Sequence, residues 1–256
     1  MSIAQDLQTI AENVPRVYSA GVEAGKAQGG GGGNDTEIIR VLTTALQNKG
    51  KSTIFDDTFN GSPIDDATLS VIMENWGNYS ITRANRMFQD TKNISEALYT
   101  DKLDFSKCQS LLSAFINSTV KKLKVIDARA TTDGWSGMAD MFRDCSNLET
   151  IDEFYPSKNT KFNGTFGYCK NLITVVFKSE VAVNGLHLGQ STLLDKQSID
   201  SVMYWLSSTT TGFTVTFSLS AVNKAYETSE GANDGSTSAE WLAKVAEKPN
   251  WTIAYA

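Results

Sequence analysis

The chain contains 256 residues, 41% of them hydrophobic, and its 23 Lys and Arg against 29 Asp and Glu give a formal net charge of −6. This length is enough for one elongated domain, or for one domain with an appendage. The acidic balance argues against a general nucleic-acid binder, whose phosphate contacts need clustered Lys and Arg, and no apolar run reaches the roughly 18 residues that suggest a membrane span.

Residues 1–28 are predicted to form a helix that mediates docking or oligomerisation. The apolar residues of this segment follow the 4-3-4-3 spacing of a heptad seam. They are Ile3, Leu7, Ile10, Val14 and Val17. A seam this short is only marginally stable alone in water, so it packs either on the chain's own body or on a partner. The segment has no basic region followed by a continuous apolar region, so a secretion signal is not expected.

Residues 29–35 are predicted to be a flexible linker, because they include an unbroken run of five glycines and Gly-rich segments behave as coils. A phosphate-binding loop would need a Lys followed by Ser or Thr, whereas Asn34, Asp35 and Thr36 follow the run here. A linker of this kind is useful where the two parts that it joins perform different tasks.

Residues 36–190 are predicted to be a stack of short repeats, covered at its start by a helix over 36–48. The repeat consists of an aromatic anchor, a polar turn and an aliphatic residue, as in MFRDCSNLETID (141–152) and TFGYCKNLITVVF (165–177). One unit buries too little apolar surface alone and needs a neighbour. The spacing of the anchors falls in the 20–29-residue range of leucine-rich repeats, which indicates a solenoid. The anchors are Phe88, Phe115, Phe142 and Phe166, with Phe59 as a possible earlier one.

The repeats also predict where short strands and cysteines lie. Strands are expected at 124–127 and 174–177, and the basic run 121–124 is expected to be a solvated turn. Cys145 and Cys169 each follow an anchor by three positions, so they should be equivalent on adjacent turns. The odd, low count of three cysteines does not suggest a disulfide framework. Cys145 and Cys169 are expected to be free and buried, because free Cys packs as a small hydrophobic residue.

Residues 191–256 are predicted to be an α/β C-terminal cap. The apolar pattern predicts a helix over 195–207, a strand over 214–219, a second helix over 238–246 and a closing strand from Trp251. A cap is needed because the last repeat would otherwise expose an apolar end. The predicted fold class is therefore α/β, an irregular leucine-rich-repeat solenoid with an N-terminal helix and an α/β C-terminal cap.

The sequence contains little that points to catalysis, and we predict that the protein is not an enzyme and uses no cofactor or metal. A Ser-His-Asp or Cys-His arrangement would have to include the single histidine, His187, which is expected to pack or to hydrogen-bond in a structured turn. The acidic pairs at 56–57 and 65–66 are expected to be capping or loop residues, not the paired carboxyls of a glycosidase.

Three aromatic residues are the candidates for partner contact within the repeats. Trp76, Tyr79 and Trp135 lie in Gly- and Asn-rich segments between anchors, and Trp and Tyr supply large contact areas at low entropic cost. The alternative is that these side chains cover the edges of the stack. Together with the five seam residues of the N-terminal helix, they form the predicted partner-binding set.

The repeat unit MFRDCSNLETID resembles the BspA-like class of bacterial leucine-rich repeats, which occur in surface proteins and in phage or prophage proteins of gut bacteria. The segment 11–30 is similar to the N-termini of tail-associated virion proteins of Firmicutes phages, and 198–226 with the closing NWTIAYA resembles the C-terminal cap of the same group. The chain departs from the family in its irregular repeat lengths and in Ile94, which replaces the usual Leu.

The resemblance implies a non-enzymatic structural protein of the virion: a fibre, a decoration or a host-contact module, and it carries no catalytic residues. Its partners would be other virion proteins, bound through the N-terminal segment, and a glycan or protein of the host surface, with no nucleic acid and no membrane insertion. The heptad seam predicts a homo-oligomer. The alternative function is a bacterial cell-surface adhesin of the same repeat class, and a glycan-cleaving enzyme is disfavoured by the single histidine.

Overall fold

The computed structural model describes residues 54–62, 65–66, 69, 81–95, 103–132, 134, 136–226 and 238–256. The predicted N-terminal helix, glycine linker and first capping helix lie outside these residues. The described part contains two three-stranded parallel sheets, ordered β1-β2-β3 and β4-β5-β6, together with three helices. The elements are β1 Lys122–Asp127, β2 Thr150–Tyr155, β3 Thr174–Phe177, β4 Leu186–Leu188, α1 Lys196–Trp205, β5 Phe213–Phe217, α2 Leu219–Ala225, α3 Ala239–Ala246 and β6 Trp251–Tyr255.

The anchor phenylalanines stack on one another in chain order. Centroids of neighbouring rings are 5.0, 5.2, 5.5 and 5.5 Å apart from the first pair to the last, and no ring is more than 2% exposed. Stacked aromatic pairs add about 0.5–1.5 kcal/mol each beyond the area that they bury. Phe59, the possible earlier anchor, is therefore a full member of this column of stacked rings. We call this column the phenylalanine stack, and its members are Phe59, Phe88, Phe115, Phe142 and Phe166.

Backbone hydrogen bonds connect the first four anchors to the following turn. The N–H of Phe88 donates to the carbonyl of Ala114 at 2.7 Å, and the N–H of Phe115 donates to the carbonyl of Met141 at 2.8 Å. The residues two positions before and two after every anchor have a positive φ between 51° and 67°. These ten residues are Asp57, Gly61, Arg86, Asp90, Ser113, Asn117, Asp140, Asp144, Gly164 and Tyr168.

Two of these left-handed positions should respond to substitution in opposite directions. Gly164→Ala is expected to destabilise the fold by about 1–2 kcal/mol, because L residues disfavour this backbone region and the new Cβ would collide with Oδ1 of Asp140. Tyr168→Gly is expected to raise stability by up to about 1 kcal/mol, because it removes the same backbone cost. Urea unfolding measures both changes. Equal signs for the two variants would contradict the explanation.

A column of small side chains lies three residues after each anchor. The thiol of Cys145 donates to the carbonyl of Phe115 at 2.8 Å, and that of Cys169 donates to the carbonyl of Phe142 at 3.0 Å. The predicted equivalence of these two cysteines is thus confirmed. Both cysteines are free and buried, as predicted, and Cys108 is free and buried as well. Burial raises the pKa of the Cys145 thiol to about 12, so this thiol stays protonated at neutral pH.

The first sheet contains both strands that were predicted within the repeats, and one, β2, that was not. β1 is longer than predicted and takes in most of the basic run. The prediction of a solvated turn at 121–124 is therefore wrong. Leu123 points into the core, whereas Lys122 and Lys124 are exposed, because alternate side chains of a strand lie on opposite faces.

Helix α1 closes the open edge of the first sheet. The Oγ of Ser198 accepts a hydrogen bond from the N–H of Val175 at 2.8 Å, and the Oγ of Ser201 accepts from the N–H of Phe177 at 3.0 Å. The N–H of Asp195 donates to the carbonyl of Ile173 at 2.8 Å. An uncovered edge strand is a template for aggregation, and α1 occupies the place of the fourth strand.

The C-terminal elements follow the predicted order, with one helix that was not foreseen. The helices predicted over 195–207 and 238–246 are α1 and α3, and the strands predicted at 214–219 and from Trp251 are β5 and β6. Helix α2 was missed, and Leu219 begins this helix instead of ending a strand. Leu219 belongs to the helix because Ser218 caps the helix N-terminus. The Ser218 side chain accepts a hydrogen bond from the N–H of Ala221.

One carboxylate joins the three helices. Asp200 on α1 accepts hydrogen bonds from the Tyr226 hydroxyl at 2.5 Å, from Lys196 Nζ at 2.8 Å and from Lys244 Nζ of α3 at 3.0 Å. Tyr226 directly follows α2. Burial raises the pKa of the Asp200 carboxyl, but the three donors together outweigh burial and hold this pKa below its ordinary value.

The Asp200 contacts predict an acid-sensitive cap. Because the pKa of Asp200 is depressed in the folded state, its contribution to stability is complete above the ordinary value of about 3.9 and is lost as the pH falls through the folded-state pKa. Asp200→Asn is expected to cost about 1–3 kcal/mol at pH 7 and to make stability fall less between pH 5 and pH 3. Thermal melts across this range test the prediction, and parallel curves for the two proteins would contradict it.

Candidate functional site

An open groove of about 350 Å³ lies on the side of the stacked turns where each turn approaches its anchor position. Four successive turns contribute to it: those that carry Phe142 and Phe166, and those that contain β4 and β5. The described lining residues are Gly134, Asn159, Lys161, Val183, Asn184 and Phe213. We call this site the groove. Because each turn supplies only one or two of these residues, the groove runs across the chain direction and along the stack of turns.

Backbone pairing between turns fixes the spacing of the lining residues. The N–H of Lys161 donates to the carbonyl of Gly134 at 3.3 Å, and the N–H of Phe162 donates to the carbonyl of Asn184 at 3.3 Å. These backbone groups are thereby used within the fold. What the groove can offer a ligand is therefore mainly side-chain chemistry.

The amide of Asn184 is oriented by its own surroundings. Its Oδ1 accepts from the N–H of Gly185 at 2.8 Å and from the N–H of Thr214 at 3.1 Å. With the oxygen committed to two backbone donors, the amide nitrogen is directed to the other side. No hydrogen bond to this nitrogen is made within the described part of the chain. The orientation of the Asn184 amide is therefore fixed by these two bonds.

An aromatic ring and a cation complete the lining. Phe213 is partly exposed and packs edge-on against Trp251, with centroids 5.6 Å apart and ring planes at 73°. Lys161 is exposed and brings a positive charge. The six described lining residues include no carboxylate. The described lining thus combines apolar residues with polar and basic ones.

The predicted partner-binding residues lie outside the described structure. This holds for the seam residues Ile3, Leu7, Ile10, Val14 and Val17 and for the aromatics Trp76, Tyr79 and Trp135. The structure therefore does not test whether they come together. Residue 135 directly follows the groove residue Gly134 in the chain, which is a relation of sequence alone.

The histidine and the first acidic pair have structural partners. His187 is exposed on β4 and its Nδ1 accepts from the N–H of Gly189 at 3.3 Å, so the predicted hydrogen bond is present, although the residue lies in a strand and not in a turn. Asp57 binds Arg86 of the next turn through two hydrogen bonds of 2.8 and 2.7 Å. The bond to Arg86 lowers the pKa of Asp57. This carboxylate therefore holds two neighbouring turns together.

Neither a metal cluster nor a spanning helix is present in the residues that the structure describes. No group of three or more His, Cys, Asp and Glu side chains there is placed to hold a metal ion. No helix in those ranges has the length and apolar character needed to cross a membrane.

Sequence reasoning missed every groove residue, although a signal was present. Asn184 and Phe213 each lie four residues before a buried residue, Leu188 and Phe217, at the level of the phenylalanine stack. Leu188 and Phe217 are paired in register on β4 and β5. Had Leu188 been treated as a degenerate anchor, the equal offsets would have aligned the two lining residues on adjacent turns.

Comparison with known proteins gives no relative for this chain. No protein-family model, no curated protein and no solved structure matches it. The groove and the stacked turns are therefore the features of this chain that bear on its function.

Proposed function

We propose that the chain is a non-enzymatic binding module of a phage particle, in which a BspA-like leucine-rich-repeat solenoid presents the groove to the host surface. The observation that carries this proposal is the construction of the groove from four successive turns. Such a site suits an extended partner, because neighbouring lining residues lie at the regular spacing of the turns. The placement on a virion rests on the resemblance of the repeat unit and of both chain ends to phage proteins.

The stacked turns support a binding function because they make the groove rigid. Ring stacking and backbone hydrogen bonds hold neighbouring turns together, and the lining residues follow from the positions of those turns. A preorganised site loses little conformational entropy when a ligand binds. In this proposal the phenylalanine stack serves recognition by fixing the distances between donors along the groove.

Oligomerisation through residues 1–28 would compensate for the weak binding expected of a shallow, open groove. Several grooves on one particle raise the overall affinity through high effective concentration, without any new contact. Light scattering of the full chain is expected to give a multiple of 27.9 kDa. The mass of a single chain would contradict this part of the proposal.

A cell-binding assay tests whether the groove contacts the host. Labelled full-length chain is expected to bind whole host cells, and Lys161→Glu is expected to reduce the bound amount about tenfold, because it replaces a side chain of the groove by one of opposite charge. Lys170→Glu is the matched control, since Lys170 is also exposed but lies outside the groove. Equal loss for both variants would show that overall charge, and not the groove, determines binding.

Mass spectrometry of purified particles tests the location. A fixed copy number relative to the major capsid protein is the result expected for a virion component. Recovery of the chain only with the cell envelope would contradict the virion proposal and favour the adhesin.

A further inference from the structure

We infer that Asn184 is a site of spontaneous modification, at which the backbone nitrogen of Gly185 attacks the Asn184 side chain and converts it to aspartate or isoaspartate. The chain contains Asn-Gly pairs at 60–61, 163–164 and 184–185. Glycine has no Cβ to hinder the approach of its nitrogen, so each pair has the sequence that this reaction favours. The contacts of the three pairs differ, and only those of Asn184 promote the reaction.

The reacting atoms of Asn184 and Gly185 lie close together. The N–H of Gly185 donates to the Oδ1 of Asn184 at 2.8 Å. Since a C=O bond is about 1.23 Å long, the Gly185 nitrogen lies within about 4 Å of the Asn184 Cγ, the carbon that it attacks. Gly185 has a φ of 91° and is exposed. The freedom of its backbone allows the rotation that brings the two atoms to a near-attack separation, and water can reach the site.

Thr214 stabilises the charge that the attack creates. Its backbone N–H donates to the same Oδ1 of Asn184 at 3.1 Å. When the nitrogen attacks, the electron pair of the C=O bond moves onto Oδ1, and a donor already aimed at this oxygen stabilises the negative charge. The fold therefore supplies the oxygen with its donor before the reaction begins.

Water is the only co-reactant that the modification requires. Water or hydroxide takes the proton of the Gly185 nitrogen, the bond from this nitrogen to Cγ forms, and the Nδ2 of Asn184 takes a proton from water and leaves as ammonia. The product is a cyclic succinimide. A second water molecule opens this ring at Cγ to give aspartate, or at the main-chain carbonyl carbon to give isoaspartate. No group is oxidised or reduced.

The other two pairs have contacts that oppose the same reaction. The N–H of Gly61 donates to the carbonyl of Gln89 on the next turn at 2.8 Å, so its nitrogen cannot attack Asn60 without breaking a bond of the stack. A Cβ on Gly164 would collide with the Oδ1 of Asp140, so this carboxylate lies beside Gly164. A negative charge there disfavours loss of the proton from the Gly164 nitrogen.

Either product changes the groove. A carboxylate replaces the neutral Asn184 amide, whereas the described lining residues include no acidic side chain. Isoaspartate also inserts a methylene into the main chain directly before β4, so the pairing of Leu186 with Val215 on β5 must shift. The isoaspartate form is therefore expected to melt at a lower temperature than the unmodified chain.

The test follows the full chain during incubation at mildly alkaline pH, by peptide mapping with mass spectrometry and with an isoaspartate-specific methyltransferase. In the folded chain, conversion at Asn184 is expected to be at least about tenfold faster than at Asn60 or Asn163. The rate should rise with pH, because loss of the Gly185 proton starts the reaction. In urea the three sites should convert at rates within about threefold of one another, since only the shared dipeptide remains.

Gly185→Ala is expected to slow conversion at Asn184 at least about tenfold, because its methyl group hinders the nitrogen and disfavours the positive φ. The new Cβ would make only ordinary contacts, the nearest at 3.8 Å to the backbone nitrogen of Phe162. Gly61→Ala is the matched control, since Gly61 also follows an asparagine and has a positive φ, and it should leave the rate at Asn184 unchanged. Thermal melts show whether both variants fold.

Two results from the unaltered chain would overturn the inference. One is an Asn184 amide that persists in the folded chain while the chain in urea converts. The other is an equal rate at all three sites in the folded chain, which would show that the dipeptide and not the fold determines reactivity. Neither readout involves host cells, so a failed cell-binding assay and a stable Asn184 amide are separate outcomes.

Discussion

Phe115→Ala is expected to lower the free energy of unfolding by about 3–5 kcal/mol, the range for deletion of a buried aromatic side chain. Phe115 is fully buried and lies between Phe88 and Phe142, with ring centroids 5.2 and 5.5 Å away. Its loss leaves a cavity that interrupts the phenylalanine stack and removes two stacked contacts. Urea unfolding followed by circular dichroism measures the change.

Two control variants separate stacking from simple volume. Phe115→Leu fills much of the space and should cost clearly less than the alanine variant, because it leaves a smaller cavity. Tyr204→Ala removes an aromatic ring that is 74% exposed, and exposed substitutions stay within about 0.5 kcal/mol. Similar losses for Phe115→Ala and Tyr204→Ala would contradict a core role of the phenylalanine stack.

Ser198→Ala is the second substitution with a large expected effect, a loss of about 1–3 kcal/mol, the cost of leaving a buried hydrogen-bonding group without a partner. Ser198 and Val175 are both 0% exposed, so water cannot replace the lost acceptor of the Val175 N–H. The higher helix propensity of alanine offsets only part of this cost. Chemical denaturation gives the stability, and amide hydrogen exchange should show faster exchange at Val175.

Ser220→Ala is the matched control, because Ser220 also lies in a helix but is exposed. It should leave stability unchanged or raise it slightly, since alanine is the better helix former. A Ser198→Ala variant as stable as the parent chain would contradict the proposed closure of the sheet edge by α1. Ser201→Ala should have a smaller effect, because its bond to the Phe177 N–H is only partly buried.

The repeat could be predicted from the sequence because each unit carries its own signal. The spacing of Phe88, Phe115 and Phe142 indicated turns that stack, and the cysteines at three positions after an anchor indicated equivalent sites. Both properties are local, since they depend only on distances along the chain. The stacking distances and the two thiol–carbonyl hydrogen bonds agree with these predictions.

The elements that were missed depend on partners distant in the chain. β2 forms between two neighbouring parallel strands, and its sequence TIDEFY has no strict alternation of apolar and polar residues. The basic run became part of β1 because Leu123 is buried against the core while its charged neighbours remain in solvent. Local charge predicted a turn, and tertiary packing overrode it.

The groove is hard to predict because no single repeat contains it. Lys161, Asn184 and Phe213 belong to three different turns, and only stacking brings them to one surface. The sequence search favoured large aromatics in polar loops, whereas the orientation of the Asn184 amide is set by two backbone donors, Gly185 and Thr214. Both donors are backbone N–H groups, so no particular residue type in the sequence marks them.

By itself, the sequence determined the period of the repeat, the buried anchors, the free cysteines and the order of the C-terminal helices and strands, because hydrophobic spacing and helix caps act over a few residues. Only the tertiary structure decided how the first sheet ends, how Asp200 joins three helices and where the groove lies. Each of these depends on contacts between polar atoms of residues more than 20 positions apart in the chain. Such contacts result from the stacking of turns and not from any local sequence pattern.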